Sequence, residues 1–155
     1  MLPKFARPHA LKLFNLWPPF AAAGIHIDRI APDFREIDVS LRLRPWNRNY
    51  VGTHYGGSLF SMTDPFYMIM LLENLGPDFI VWDKAATIHY RKPGRGTVRA
   101  KFRLTDERLL ELRGELETRE KIEPVFVARV MDDKGEIVAD VEKTLYVRRK
   151  GPVKA

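Results

Sequence analysis

Hydrophobic and polar residues alternate along much of this chain. Ile37, Val39, Leu41 and Leu43 fall on one side of a strict two-residue repeat, with Asp38, Ser40 and Arg42 between them. Residues 98–104 repeat the pattern and place Arg99, Lys101 and Arg103 together on the opposite face. A period of two belongs to a half-buried β-strand. Further strands are predicted over residues 24–30, 80–90, 124–131 and 137–147. The last two flank Asp132-Asp133-Lys134-Gly135, a polar turn ending in glycine, which makes them a hairpin.

Residues 57–75 break the alternation. Leu59, Phe60, Met62, Phe66, Tyr67, Met68, Ile69, Met70, Leu71 and Leu72 leave this stretch apolar nearly all the way round a helical wheel. A helix of that kind must be enclosed by protein. It would run roughly 28 Å at the helical rise, about the length of a small sheet. One long buried helix between early and late strands predicts an antiparallel sheet wrapped around it, an α+β arrangement. A second helix fits residues 105–118, although Gly114 weakens it, and extended structure from Leu112 onward is the alternative. Residues 10–17 read as a short amphipathic helix stopped by Pro18-Pro19.

Composition narrows the class. The 155 residues are 45% apolar and 30% charged, which suits a single folded domain over 1–155, with a helical extension at 1–23 and a basic tail at 149–155. Cysteine is absent, so disulfides, thiolate metal sites and cysteine nucleophiles are excluded. The histidines lack ligand spacing and no metal or cofactor is expected. Lys12, Asn15 and the proline pair interrupt any signal-peptide core, and no apolar run is long enough to span a bilayer. A cytoplasmic protein without membrane contact is expected. The net charge of +6 suits a polyanionic ligand, but no nucleic-acid recognition motif accompanies it and no nucleic-acid partner is expected.

The chemistry concentrates in residues 49–64. Gly56 and Gly57 open the apolar helix, where glycine permits close approach and the first-turn N–H groups form a positive dipole end. Such groups can hold a developing oxyanion. Asp64 follows on an otherwise apolar helix, where an unpaired carboxylate is costly. Asp64-Pro65 also fits an N-cap with proline at the first helical position, which would start a helix at 65.

Asn49, Gly52, Gly56, Gly57 and Asp64 stand at the spacings of the phenylacetyl-CoA thioesterase branch of the hotdog superfamily, which residues 24–148 resemble. Tyr55 occupies the place where that branch commonly has His, with His54 one position earlier, as in an uncharacterised subfamily of hotdog proteins. The resemblance implies a hotdog fold and hydrolysis of an acyl-CoA or related thioester. It implies Asp64 as general base or nucleophile, Gly57 or Gly56 N–H as oxyanion donor, and Asn49 orienting water or the carboxylate across a subunit boundary. His54 joins these as a catalytic candidate and Tyr55 as a substrate-binding one. The turn Arg91-Lys92-Pro93-Gly94-Arg95-Gly96 resembles the place where related thioesterases meet the phosphates of coenzyme A, so Arg91, Lys92 and Arg95 are substrate-binding candidates; an ordinary solvated turn is the alternative. Trp82, Phe60 and Phe66 are candidate walls of an acyl pocket, or core. Hotdog subunits pair edge to edge, so a homodimer or a dimer of dimers is expected. Two other activities remain open: an acyl-CoA-binding module without turnover, and a dehydratase or hydratase needing a His beside the acid.

Overall fold

The computed structural model describes residues 12–151. A 3-10 turn, Lys12–Leu16, precedes helix α1 (Pro18–Ala23). Strands β1 (Ile25–Ile30) and β2 (Glu36–Arg42) follow, then two helices, α2 (Gly56–Ser61) and α3 (Phe66–Leu75). Strands β3 (Phe79–Tyr90) and β4 (Thr97–Arg103) lead to helix α4 (Asp106–Thr118). Strands β5 (Lys121–Ile122), β6 (Val125–Met131) and β7 (Ile137–Arg149) complete the order. All pairings are antiparallel, in the spatial order β1-β2-β4-β6-β7-β3, with β5 also against β7. The sheet carries the helices α2 and α3 on one face. This is the hotdog fold.

The alternation sets the inner face. Ile37, Val39 and Leu41 of β2 lie opposite Phe102, Ala100 and Val98 of β4, and all six are buried. Against them pack Leu59 from α2, Met62 from the link that follows it, and Phe66, Tyr67, Met70 and Leu71 from α3. Thr105 caps α4 by accepting from Arg108 N at 3.2 Å, and Leu109, Leu112 and Leu116 turn inward from that helix. The 105–118 helix therefore forms through Gly114, and its extended alternative does not.

Three expectations are corrected. The nineteen-residue helix is two helices, of six and ten residues, separated at Met62–Pro65. Pro65 has no N–H and its ring excludes the carbonyl one turn back, so the ladder stops. The chain tightens instead, with Thr63 and Asp64 N–H donating three residues back to Phe60 and Ser61. Nor does Asp64 cap α3, whose cap position is Pro65 with no side-chain cap bond. At the amino end, Ala10 and Leu11 lie outside the described residues. Pro18-Pro19 do not stop a helix there but begin α1, since proline loses nothing at positions whose N–H has no helical partner. Phe20 of α1 then reaches Phe66, with ring centroids 6.1 Å apart.

Candidate active site

The loop from β2 to α2 is shaped by two asparagines. Asn47 is buried and bonds Arg44 N, Ala23 O and Arg42 O. Asn49 closes a turn on itself: its Oδ1 accepts from Thr53 N at 2.9 Å and its Nδ2 donates to Thr53 Oγ1 at 2.9 Å and His54 O at 3.3 Å. Gly52 at the turn's apex has φ of +79°, a left-handed conformation suited to glycine.

His54 fastens this loop to the turn after β3. Its backbone N–H donates to Gly94 O at 3.0 Å and its Nε2 lies 3.1 Å from Gly96 O. The carbonyl can only accept, so Nε2 carries the proton and Nδ1, buried and unpartnered, does not. The side chain is 3% exposed, and burial holds the imidazole below its ordinary pKa, opposed only by the Gly96 bond.

Gly56 and Gly57 each make room for a tyrosine. A Cβ on Gly57 would stand 2.4 Å from Tyr55 Cε1, and one on Gly56 would stand 2.8 Å from the Tyr90 hydroxyl. Among the described residues, neither glycine N–H donates to a backbone carbonyl; the first α2 donors so used are Ser58 and Leu59, both to Tyr55 O. Tyr55 itself is exposed.

Asn49, His54, Gly56, Tyr90, Arg91 and Lys92 line one cleft of about 390 Å³. Gly57, Tyr55, Asp64 and Arg95 are not among its walls. Arg91 pairs with Asp140 at 2.8 Å, and Lys92 with Asp132 at 2.6 Å and with Glu136. Arg95 reaches the Gly52 carbonyl at 3.5 Å and has no carboxylate partner among the described residues. A larger cleft of about 680 Å³ lies around Arg29, Arg35 and Asp106, but it holds none of the motif residues and is bridged by the Arg35–Asp106 pair at 2.6 Å.

Asp64 stands apart, at the break between α2 and α3, with its side chain 59% exposed. Its partner is a residue the sequence reading missed. Lys143, on the inner face of β7 and fully buried, donates to the Asp64 carbonyl and lies 3.2 Å from Asp64 Oδ1. The same ammonium is 3.0 Å from Asp83 Oδ1 on β3. The two form an ion pair. Burial pushes the Asp83 carboxyl up, with Lys143 opposing. Tyr90 was also missed. Of the candidate acyl walls, Phe66 is core, Phe60 is half-buried against it, and Trp82 is 49% exposed and stacked on Tyr146.

Solved structures share this fold. A family model described as a domain of unknown function (DUF4442) matches residues 9–147. A Pseudomonas aeruginosa structure, a protein of unknown function described as a "probable thioesterase", is 25% identical, with a TM-score of 0.78 over 96% of this chain and 97% of that one. A thioesterase from Haemophilus influenzae is 13% identical, with a TM-score of 0.67 over 96% and 94%. A thioesterase enzyme from Staphylococcus aureus is 15% identical, with a TM-score of 0.61 over 84% and 98%. None of the curated proteins matches the chain.

Proposed function

The chain belongs to the family described as a domain of unknown function, DUF4442, and on that premise we propose that it hydrolyses an acyl-CoA or related thioester. The observation that carries the reading is Asp64, a carboxylate open to solvent at the break in the buried helix, with one oxygen beside an ammonium and the side chain facing outward. Structural likeness to proteins described as thioesterases supports the same reaction class.

In this reading Asp64 takes a proton from water as the water oxygen attacks the thioester carbonyl, or attacks that carbon directly. The carbonyl oxygen gains charge facing the unengaged N–H groups of Gly57 or Gly56. On the general-base route collapse breaks the C–S bond and the proton held by Asp64 passes to the leaving sulfur, giving the thiol and the carboxylic acid. On the direct route collapse expels the thiolate and leaves an acyl–Asp64 anhydride, which water hydrolyses to the acid while its proton goes to the thiolate. Asn49 orients water or the carboxylate, His54 holds the loop against the 91–96 turn, and Tyr55 flanks the acyl group. Arg91, Lys92 and Arg95 meet the phosphates. Arg95 is the readiest of them, because Arg91 and Lys92 would first have to loosen ion pairs.

Asn49 lines the cleft and Asp64 does not, so we read the complete site as shared between two copies of the chain, in a homodimer or a dimer of dimers. A second reading is favoured by one residue: Tyr55 stands where a ring nitrogen would be expected, and an acyl-CoA-binding module without turnover needs none.

One experiment separates them. Purified chain is assayed for free-thiol release over short, long and aromatic acyl-CoAs, beside Asp64→Asn. The hydrolase reading expects Asp64→Asn to lose roughly 10²- to 10⁴-fold in kcat/KM while still binding acyl-CoA. Binding by wild type without thiol release across the panel would establish the binding module instead.

A further inference from the structure

Strand β7 points Val141, Lys143, Leu145 and Val147 toward the core, and Lys143 is the one charged side chain among them. An inward strand position beside apolar neighbours calls for Val or Leu. An ammonium there must be compensated by close partners, because burial removes it from water. Its partners come from two other elements. Asp64, at the break between α2 and α3, offers both its backbone carbonyl and Oδ1. Asp83, on β3 where the register with β7 shifts, offers Oδ1 at 3.0 Å.

We infer that Lys143 is the positioning residue for Asp64: its ammonium pins the turn before Pro65 and one carboxylate oxygen, and leaves the other oxygen for the reaction. The inference rests on the reading of Asp64 as the reacting carboxylate.

Three observations support it. The pinned carbonyl is one that neither helix uses. Pro65 interrupts the helical ladder, and the Asp64 carbonyl is taken by Lys143 rather than by a helical N–H. The pair is also lopsided, with Lys143 wholly buried and Asp64 largely exposed. A pair serving only the core would bury both charges. Here the lysine reaches outward from the interior and fixes a group that solvent and substrate can reach. Asp83 then holds the ammonium from the β3 side. Its Oδ1, 3.0 Å away, gives the ammonium a second negative partner. Among the described residues no other ion pair reaches Lys143 or Asp83; the next pair along β3, Lys84–Glu123 at 2.7 Å, lies at the surface. On the general-base route the proton that moves goes from water to Asp64.

The test uses the full chain as Lys143→Met, Lys143→Arg and the double variant Lys143→Met/Asp83→Asn. The double variant removes both buried charges at near-constant volume, so the core need not shelter an unpaired carboxylate. Steady-state kinetics, acyl-CoA affinity by calorimetry, and crystal structures are measured on each. The expected result for Lys143→Met and for the double variant is a loss in kcat on the order of 10²-fold, the scale of a misplaced reacting group, with acyl-CoA affinity unchanged. Lys143→Arg is expected to recover part of that loss, and crystals of the double variant to show Asp64 displaced. An unchanged kcat in the folded double variant, or an Asp64 carboxylate in its wild-type place, overturns the positioning role. Absence of thiol release by the wild type overturns only the hydrolase reading, since the displacement of Asp64 is read without turnover.

Discussion

At the scale of single residues, His54 makes the clearest claim about pH. Its imidazole is buried, its Nε2 is committed to Gly96 O, and burial keeps it below its ordinary pKa. The unfolded chain therefore binds a proton that the folded chain refuses. The stability held by neutral His54 is complete above about pH 6.5 and is lost as pH falls through that value toward the lower folded one. The expected outcome is a thermal midpoint that drops between pH 7.5 and 5.5, and a shallower drop in His54→Gln, whose amide can still donate to Gly96. His26 and His89 are exposed in both proteins and serve as the common background. Equal slopes in the two proteins would mean that His54 is not held neutral by the fold.

The same scale shows what the sequence could reveal about the site. Asn49, Gly56, Gly57 and Asp64 stand out as candidates because they lie within one short stretch, where spacing carries information. Lys143 is seventy-nine positions from Asp64. Its signal was local and weak: a lysine in the inward register of Val141 and Leu145. Alternation marks it as out of place but cannot say what it faces, because a partner across the sheet is chosen by the fold. Asp83 is harder still, since β3 bulges beside it and does not alternate cleanly.

At the scale of elements, β2 and β4 were readable because each has one face in the core and one in solvent, so period and burial coincide. Apolar periodicity hides the helix break, since it continues across Met62–Pro65 where the hydrogen-bond ladder stops; Pro65 marks it, and the helix start it allowed at 65 lies one residue from the observed start of α3. Leu59, Phe66 and Met70 reach the same core from two separate helices, and Met62 from the link between them. Helix α4 makes the reverse point: it forms despite Gly114, because Thr105 caps it, Asp106 and Glu107 face the positive end, and three leucines bury. A Cβ on Gly114 would meet nothing within 4 Å, and its φ is not in the left-handed region. Gly114→Ala should therefore stabilise the chain by about 0.5–1 kcal/mol, which is a rise of roughly 1–4 °C for a chain of this size. Thr105→Ala should cost about 1 kcal/mol. Calorimetric melting of both variants checks the pair; a Gly114→Ala midpoint at or below wild type would show that the glycine serves something beyond the helix.

At the scale of the whole molecule, the two edges of the sheet are treated differently. The β1 edge is blocked: Asn15 both donates to Ile27 O and accepts from Ile27 N, so one side-chain amide stands in for a neighbouring strand. The β3 edge runs twelve residues with no such cover among the described residues, and Trp82 and Tyr90 are exposed along it. An uncovered edge of that length invites a second strand, and a second β3 related by a two-fold axis supplies one. A shared site requires that this pairing bring a second Asp64 to the cleft that the first chain's Asn49 and Gly56 line. Sedimentation at micromolar concentration should then give at least twice the 18.0 kDa of one chain. The sharper test is hybrid complementation. Asn49→Ala and Asp64→Asn are each expected to be inactive as homodimers. In a hybrid, one site carries both substitutions and the other carries neither. Co-expression in equal amounts should make half the dimers hybrid with one intact site of two, restoring roughly a quarter of wild-type turnover. Homodimers mixed without subunit exchange should restore none. No recovery in the co-expressed sample would place Asn49 and Asp64 in the same chain's site, and the unguarded β3 edge would then need another explanation.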